Sequence, residues 1–340
     1  MTTESFEAQE IAPDLWQLPL PIHRHSLGGA NGYLIRDADG FLLFDCGADV
    51  EECVESLAFQ LSSLGVPFDA IHTVILSHGH GDHAGQAHRV AARAGARIAC
   101  HQHETRFIGY PNGSDADRQQ FVAWLRRQGY PEPEIEAVMQ TAATNERGDR
   151  RDQFLEPELS LAGGEVFKAG RYNFEALWIP GHTPGHLCLY DRDQRVLLTG
   201  DHILEIVTPN VGLHPLLAEN PLPGYLASLR RLADADIQVT LPGHGARIMD
   251  LPARTAEIAD RHDDRRQQLL SLMSSTPRSA YEFATLVWAK PGRRNWSAMH
   301  PHLRRNAVGM LAAHLELLAE GGENVTSQEE AGVLHYRQKR

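Results

Sequence analysis

Cysteine is scarce in this chain of 340 residues. The four thiols (Cys46, Cys53, Cys100 and Cys188) are widely spaced and form no CxxC pair. That excludes a disulfide-built scaffold and a thiolate zinc site, and it fits a reducing, cytoplasmic compartment. Long apolar runs are missing too. No stretch approaches the roughly 18 apolar residues of a membrane helix, so no membrane partner is expected. The opening MTTESFEAQE has neither a basic nor an apolar segment, so no secretory leader is expected. Positive charge is short, with 32 Lys and Arg against 44 Asp and Glu, a net charge of −12. With 42% apolar and 22% charged residues the chain is nonetheless a folded globular one, and its length suits about two domains. What it has in plenty is histidine: 19 of them.

Their placement follows from the elements around them. Asn31–Ile35 and Phe41–Phe44 read as strands around the turn Asp37–Gly40. Asp49–Leu64 reads as a helix, with Val54, Leu57, Leu61 and Leu64 on one face. The strand Thr73–Leu76 runs into a loop of residues 77–83, followed by the helix Ala84–Ala94 and the strand Arg97–Cys100. That loop sits at the C-terminal end of a strand, where α/β folds usually place sites. Residues 104–151 read as a helical insertion with helices at Asp115–Gln128 and Pro133–Thr144. Strands return at Tyr172–Ile179, Leu187–Tyr190, Val196–Thr199 and Ile237–Leu241, with a helix near Pro223–Leu232. After Leu251 the pattern is helical: Arg254–Ser275, Ser279–Ala289 and Arg305–Ala319, with Val333–Tyr336 as a terminal strand. The expected division is a catalytic domain at 1–250 and a mainly helical C-terminal module at 251–340. That module holds 13 basic and 10 acidic residues, which leaves the first 250 residues at about −15.

His78-Gly-His80-Gly-Asp82-His83 packs four metal-ligand side chains into six residues on a Gly-rich turn. Imidazole and carboxylate suit Zn²⁺, and also Fe or Mn. Alternating histidines can converge on one ion while Asp82 and His83 face a second. Further ligand types follow other strands on Gly turns: Pro180-Gly-His182-Thr-Pro-Gly-His186, Thr199-Gly-Asp201, and Pro242-Gly-His244-Gly.

Over about residues 14–250 this set resembles the metallo-β-lactamase fold superfamily. The resemblance implies a four-layer αββα sandwich of α/β (α+β) class. It also implies that His78, His80 and His182 hold one metal ion, and that Asp82, His83 and His244 hold a second. Asp201 would bridge the two together with a water or hydroxide. Asp45, in Phe44-Asp45-Cys46-Gly47, matches the acidic position that supports such sites from behind the ligands. His186 either donates to the site or braces its turn. Asp82 is the expected acid/base group. His202, His214, Arg106 and Tyr110 are candidate substrate contacts, and His23 and His25 lie in a loop that overhangs the metals in relatives. His101 and His103, just past a strand, read as solvated surface before cleft-facing, and His72, His88, His262 and His314 read as polar surface. The order of motifs and tail is similar to the β-lactamase-like protein 2 and glyoxalase II-like group, whose tail is winged-helix-like.

Three functions stay open. The first is a two-metal hydrolase of a small thioester, lactone or ester, acting through a metal-bridging hydroxide. The second is a metal-dependent endoribonuclease or phosphodiesterase, and the third a non-catalytic binding protein. The bridging aspartate disfavours a β-lactamase. The complete ligand set disfavours both a mononuclear iron dioxygenase and a binding protein. The acidic catalytic domain, with only the small clusters Arg265-Arg266, Arg293-Arg294 and Arg304-Arg305 in the tail, disfavours RNA. Val308, Leu311, Leu315 and Leu318 suit packing within the tail, and a homodimer stays open.

Overall fold

Alternating and helical apolar patterns account for most of the elements. The computed structural model describes residues 7–22, 27–110, 114–143, 157–289 and 295–339; His23, His25, Arg293-Arg294 and the end of the insertion lie outside them. Among the described residues the strands begin with β1 (Gln9–Ala12), β2 (Leu15–Pro21), β3 (Gly29–Asp37), β4 (Gly40–Phe44), β5 (Ile71–Ile75), β6 (Arg97–His101) and β7 (Leu159–Leu161). Then come β8 (Val166–Ala169), β9 (Tyr172–Trp178), β10 (Leu187–Asp191), β11 (Val196–Gly200) and β12 (Val239–Pro242). The last are β13 (Arg278–Ser279), β14 (Val325–Glu330) and β15 (Val333–Gln338). The helices are α1 (Glu51–Ser63), α2 (Gly81–Ala84), α3 (Ala87–Ala94), α4 (Gln102–Gly109), α5 (Asp115–Arg127) and α6 (Glu132–Ala143). They continue with α7 (Leu222–Ala233), α8 (Leu251–Leu272), α9 (Ala280–Val287) and α10 (Pro301–Glu320).

One compact unit comprises residues 1–109, 145–209 and 232–254. It holds a seven-stranded sheet in the order β1 to β7 and a five-stranded sheet in the order β12-β11-β10-β9-β8. The first sheet is antiparallel up to β4 and parallel from β4 to β7. The second is antiparallel except for the parallel pair β11/β12. Side chains alternate across the first sheet, so one residue of register decides which core each joins. Leu34, Phe41, Leu43 and Val74 pack with Leu57, Leu61 and Val90 of the helices α1 and α3. Tyr33, Ile35, Leu42, Phe44 and Ile75 pack with Phe174, Ala176, Leu189 and Leu198 of the second sheet. Each Val, Leu, Ile or Phe side chain so buried contributes about 1.5–3 kcal/mol.

No strand before Asn31 is expected from the sequence, yet β2 forms with Pro19 and Pro21 in it. They are tolerated because β1 reaches only Gln17, so the rest of β2 is an edge on that side.

The second unit comprises residues 110–144, 210–231 and 255–340. The sequence places the whole 104–151 insertion with the catalytic domain, whereas residues 110–144 group here. The reason is apolar: Phe121, Leu125, Ile135 and Val138 share one core with Phe283, Val308, Leu311, Leu315 and Leu318. The tail also carries a three-stranded sheet, ordered β13-β15-β14. Its edge strand β14 escapes sequence reading because most of it is exposed and polar, ending in Glu329-Glu330.

Candidate metal centre

Five segments reach one edge of the sandwich at strand ends. β4 leads into Asp45, β5 into Ser77–His83, β9 into Pro180–His186, β11 into Asp201 and β12 into His244. Backbone hydrogen bonds tie the loops together. Leu187 N–H donates to Ser77 O (2.8 Å), Gly243 N–H to Gly200 O (2.7 Å) and Asn31 N–H to Gly243 O (2.8 Å).

His78 Nε2 and His182 Nε2 each lie 2.9 Å from His80 Nδ1, so three ring nitrogens converge. Asp82 Oδ2 and His244 Nε2 lie 3.3 Å apart, and His83 Nε2 is 3.1 Å from His244 Nε2. Both triads, and a third made of His78, His83 and Asp201, have ligand atoms within 4.8 Å of one another. Asp201 faces both groups. Its Oδ1 is 3.3 Å from His83 Nε2, and its Oδ2 is 3.5 Å from His182 Nε2 and from His244 Nε2. Oδ1 is buried and makes no hydrogen bond.

Neighbours behind the ligands set the tautomers. Asp45 accepts from Ser77 N–H and Ser77 Oγ–H, at 2.7 Å each. The hydroxyl proton is thereby committed, so Ser77 Oγ accepts from His78 Nδ1–H (2.9 Å) and leaves Nε2 free to ligate. Asp45 Oδ2 also lies 2.8 Å from His83 Nδ1, and the Gly29 carbonyl faces His244 Nδ1. Acceptors at each Nδ1 put the proton there and turn the Nε2 lone pair inward, as metal-ligating histidine requires. Asp45 does this from a left-handed backbone, φ 57°, a conformation that costs a non-glycine residue energy.

Charge sorts the cluster. Burial alone would lower His83 and His244. The carboxylates of Asp201, Asp45 and Asp82 outweigh it at His83 and hold it well above its ordinary value. Asp201 and Asp82 bring His244 to about 10. Burial would raise Asp82 and Asp201, yet the facing imidazoles hold both carboxyls low. His78 and His186 are pushed down by burial and by neighbouring imidazoles. A partly buried edge of His80, Asp82 and His182 opens to solvent.

His186 is fully buried, stacks on His78 at 5.1 Å and accepts from Asp201 N–H at 3.0 Å through Nε2, which is a bracing position. His202 is buried beside the His186 ring. Arg106 is exposed on α4. Tyr110 is closed into the core of the second unit, edge-on to Phe121 and His214. Several histidines that read as surface in the sequence are buried. His101 stacks on Trp178 at 4.8 Å, and burial lowers it to about 4. His262 and His314 stack on each other inside the second unit.

Sequence reasoning misses Glu104. This fully buried carboxyl accepts from Gly79 N–H (2.6 Å) and Gly185 N–H (2.5 Å). Burial raises it to about 7, against the pull of the Thr183 side chain and of those two donors. No local signal marks it, because its backbone partners lie 25 and 81 residues away.

Residues 25–244 match the sequence profile of the family described as Metallo-beta-lactamase superfamily. The probable metallo-hydrolase YqjP of Bacillus subtilis is 24% identical over 99% of both chains. An atrochrysone carboxyl ACP thioesterase of Claviceps purpurea is 25% identical over 72% of this chain, which spans 60% of that relative. The crystal structure of the metallo-beta-lactamase family protein TTHA1429 from Thermus thermophilus superposes with a TM-score of 0.78 at 32% identity, covering 97% of this chain and 100% of that one.

Proposed function

The chain belongs to the metallo-beta-lactamase superfamily and is a metallo-hydrolase; from that premise we propose that it is a two-metal hydrolase of a small acyl substrate, a thioester before a lactone or simple ester. The observation that carries this reading is the Asp201 carboxylate. One of its oxygens is turned to His83 and the other to His182 and His244, between two ligand triads. The donor set of imidazoles and carboxylates suits Zn²⁺ before Fe or Mn. The non-hydrogen-bonded Asp201 Oδ1 and the facing ring nitrogens fit cations better than protons.

Two such ions supply Lewis acidity to the acyl carbonyl and lower the pKa of water. The protein's own part is to hold and orient. Asp45, Ser77 and the Gly29 carbonyl fix the ring protons away from the centre. Asp82, on the solvent-facing edge, takes the proton of the attacking water and passes it toward the leaving group. A thiolate, with an ordinary pKa of about 8.5, departs near neutral pH with little help. A single edge carboxylate therefore suffices, and the thioesterase name of the Claviceps relative supports the same substrate class.

The order helix, strand, helix, helix, hairpin over residues 251–338 supports a winged-helix-like tail. Its arginines do not favour RNA. Arg266 pairs with Asp263 (2.8 Å) and Glu323 (2.5 Å), and Arg304 with Glu134 (2.5 Å). The four buried free cysteines support a reducing, cytoplasmic compartment.

The test is a parallel assay of acyl-CoA, hydroxyacyl-glutathione and homoserine-lactone panels against single-stranded RNA, with and without chelator. The expected result is ester turnover that chelation abolishes and Zn²⁺ restores, with about two ions per chain. RNA cleavage without ester turnover overturns the substrate class. A single iron per chain overturns the two-metal reading.

A further inference from the structure

We propose that Glu104 is a positioning residue: a buried carboxyl staple that holds the His78–His83 loop and the Pro180–His186 loop at the spacing which lets His78, His80 and His182 share one ion. The inference rests on the two-metal reading above. Four of the five segments at the site are already braced in pairs: Asp45 carries the hydrogen bonds of Ser77 and His83, and His186 accepts from Asp201 N–H. Between the loop carrying His78 and His80 and the one carrying His182, the contacts so far, apart from the ligand rings themselves, are the stacking of His186 on His78 and the bond from Leu187 N–H to Ser77 O; in neither does a side chain bond to the backbone of both. Glu104 does. Oε2 takes the N–H of Gly79, the residue between His78 and His80, and Oε1 takes the N–H of Gly185, beside His186.

The fit is close on both sides. A Cβ at Gly79 would lie 2.6 Å from Ile108 Cγ1 and 2.9 Å from Glu104 Oε2. A Cβ at Gly185 would lie 2.8 Å from Glu104 Cγ and 2.9 Å from its backbone N. Any side chain at either position would lift its loop off α4. These two motif glycines therefore serve the approach of Glu104, while Phe107, one turn along α4, lies 5.5 Å from the His80 ring. A carboxylate is the only side chain of this length with two acceptor oxygens and no competing donor. Glutamine would set an NH₂ against one of the two N–H groups. Asp, a methylene shorter, would not reach both loops.

The experiment uses the full chain and Zn²⁺ alone. Zn²⁺ affinity of the metal-stripped wild type, Glu104→Gln and Glu104→Asp is measured by chelator competition, with circular dichroism and melting of the metal-free forms alongside. In folded variants, binding of one of the two ions is expected to weaken about 10–100-fold, the range typical when a residue behind metal ligands is lost. The acyl-substrate kcat is expected to return toward wild type at saturating Zn²⁺. A folded Glu104→Gln or Glu104→Asp that binds two ions as tightly as wild type overturns the proposal. So does failure of both variants to fold, which assigns Glu104 to the fold and not to the site. A wild type that binds no Zn²⁺ defeats the two-metal reading instead, so the two failures are distinct.

Discussion

Among the described residues each unit buries a facing pair of histidines, and the two pairs, His83/His244 and His262/His314, behave in opposite ways. In the first unit His83 and His244 face Asp45, Asp82 and Asp201 and are held above their ordinary pKa. In the second unit His262 and His314 stack at 5.3 Å, with Nδ1 and Nε2 3.2 Å apart. Burial, with Arg265 and Arg266 nearby, lowers them to about 4 and about 3. The Tyr225 ring lies edge-on to His262, 5.6 Å away. Burial is common to both groups; what differs is the charge of the neighbours. Carboxylates make a cluster that attracts cations, whereas arginines make one that stays neutral and repels them. Histidine count alone distinguishes neither.

The sharpest break between the groups is catalytic. Asp82→Ala should cut kcat/KM by about 10³-fold or more, within the span of a lost acid/base group and a lost ligand, whereas His314→Phe should leave kcat unchanged. Steady-state kinetics on Zn²⁺-saturated proteins checks both. Asp45→Asn comes next. It removes one acceptor from the His83 and Ser77 network and should weaken Zn²⁺ about 10–100-fold, as read by chelator competition.

A third way to sharpen the contrast is acid. The folded values of His262 and His314 lie below the unfolded value of about 6.5, so below that pH the unfolded chain binds more protons. Their contribution to stability is therefore complete above pH 6.5 and is lost as pH falls toward 4 and 3. The slope is at most about 1.4 kcal/mol per pH unit for each ring. His262→Phe/His314→Phe should flatten that part of the melting-temperature profile, measured on metal-free protein. An unchanged slope would remove the pair from the explanation. The smallest effect is at the surface. Arg261→Ala breaks an exposed pair with Glu257 (2.7 Å) and should change stability by under about 0.5 kcal/mol.

Much of this is legible in the sequence. The strands β3 to β6 and β9 to β12 follow from apolar runs bounded by turn residues, and the grouping of His78, His80, Asp82, His83, His182, Asp201 and His244 is what the family resemblance of their Gly-turn motifs implies. The departures are of two kinds. His262 and His314 read as surface because Asp260, Asp263 and Asp264 surround the first. Yet Ile258, His262 and Leu269 share a helical stripe, and so do Leu311, His314, Leu315 and Leu318, and all of them are buried. That signal is present in the sequence. Glu104 carries none, because its burial is decided by two backbone N–H groups far away in the chain. The membership of residues 110–144 is equally non-local: apolar faces on α5 and α6 do not announce which partner they will meet.

Asn31 has a consequence for how the centre comes into being. Its side-chain amide donates to the carbonyls of Pro242 and Gly245, 211 and 214 residues away, at 2.9 Å each. Closing so long a loop is a slow, entropy-limited event. His244, caught in that closure, completes its ligand set only when the last strand of the sandwich docks beside the first sheet. A nascent chain leaving the ribosome can assemble His78, His80 and His83 early but cannot finish the centre until residue 244 has emerged. A chain that stalls before then leaves Asp82 and His83 without His244, the third member of their triad.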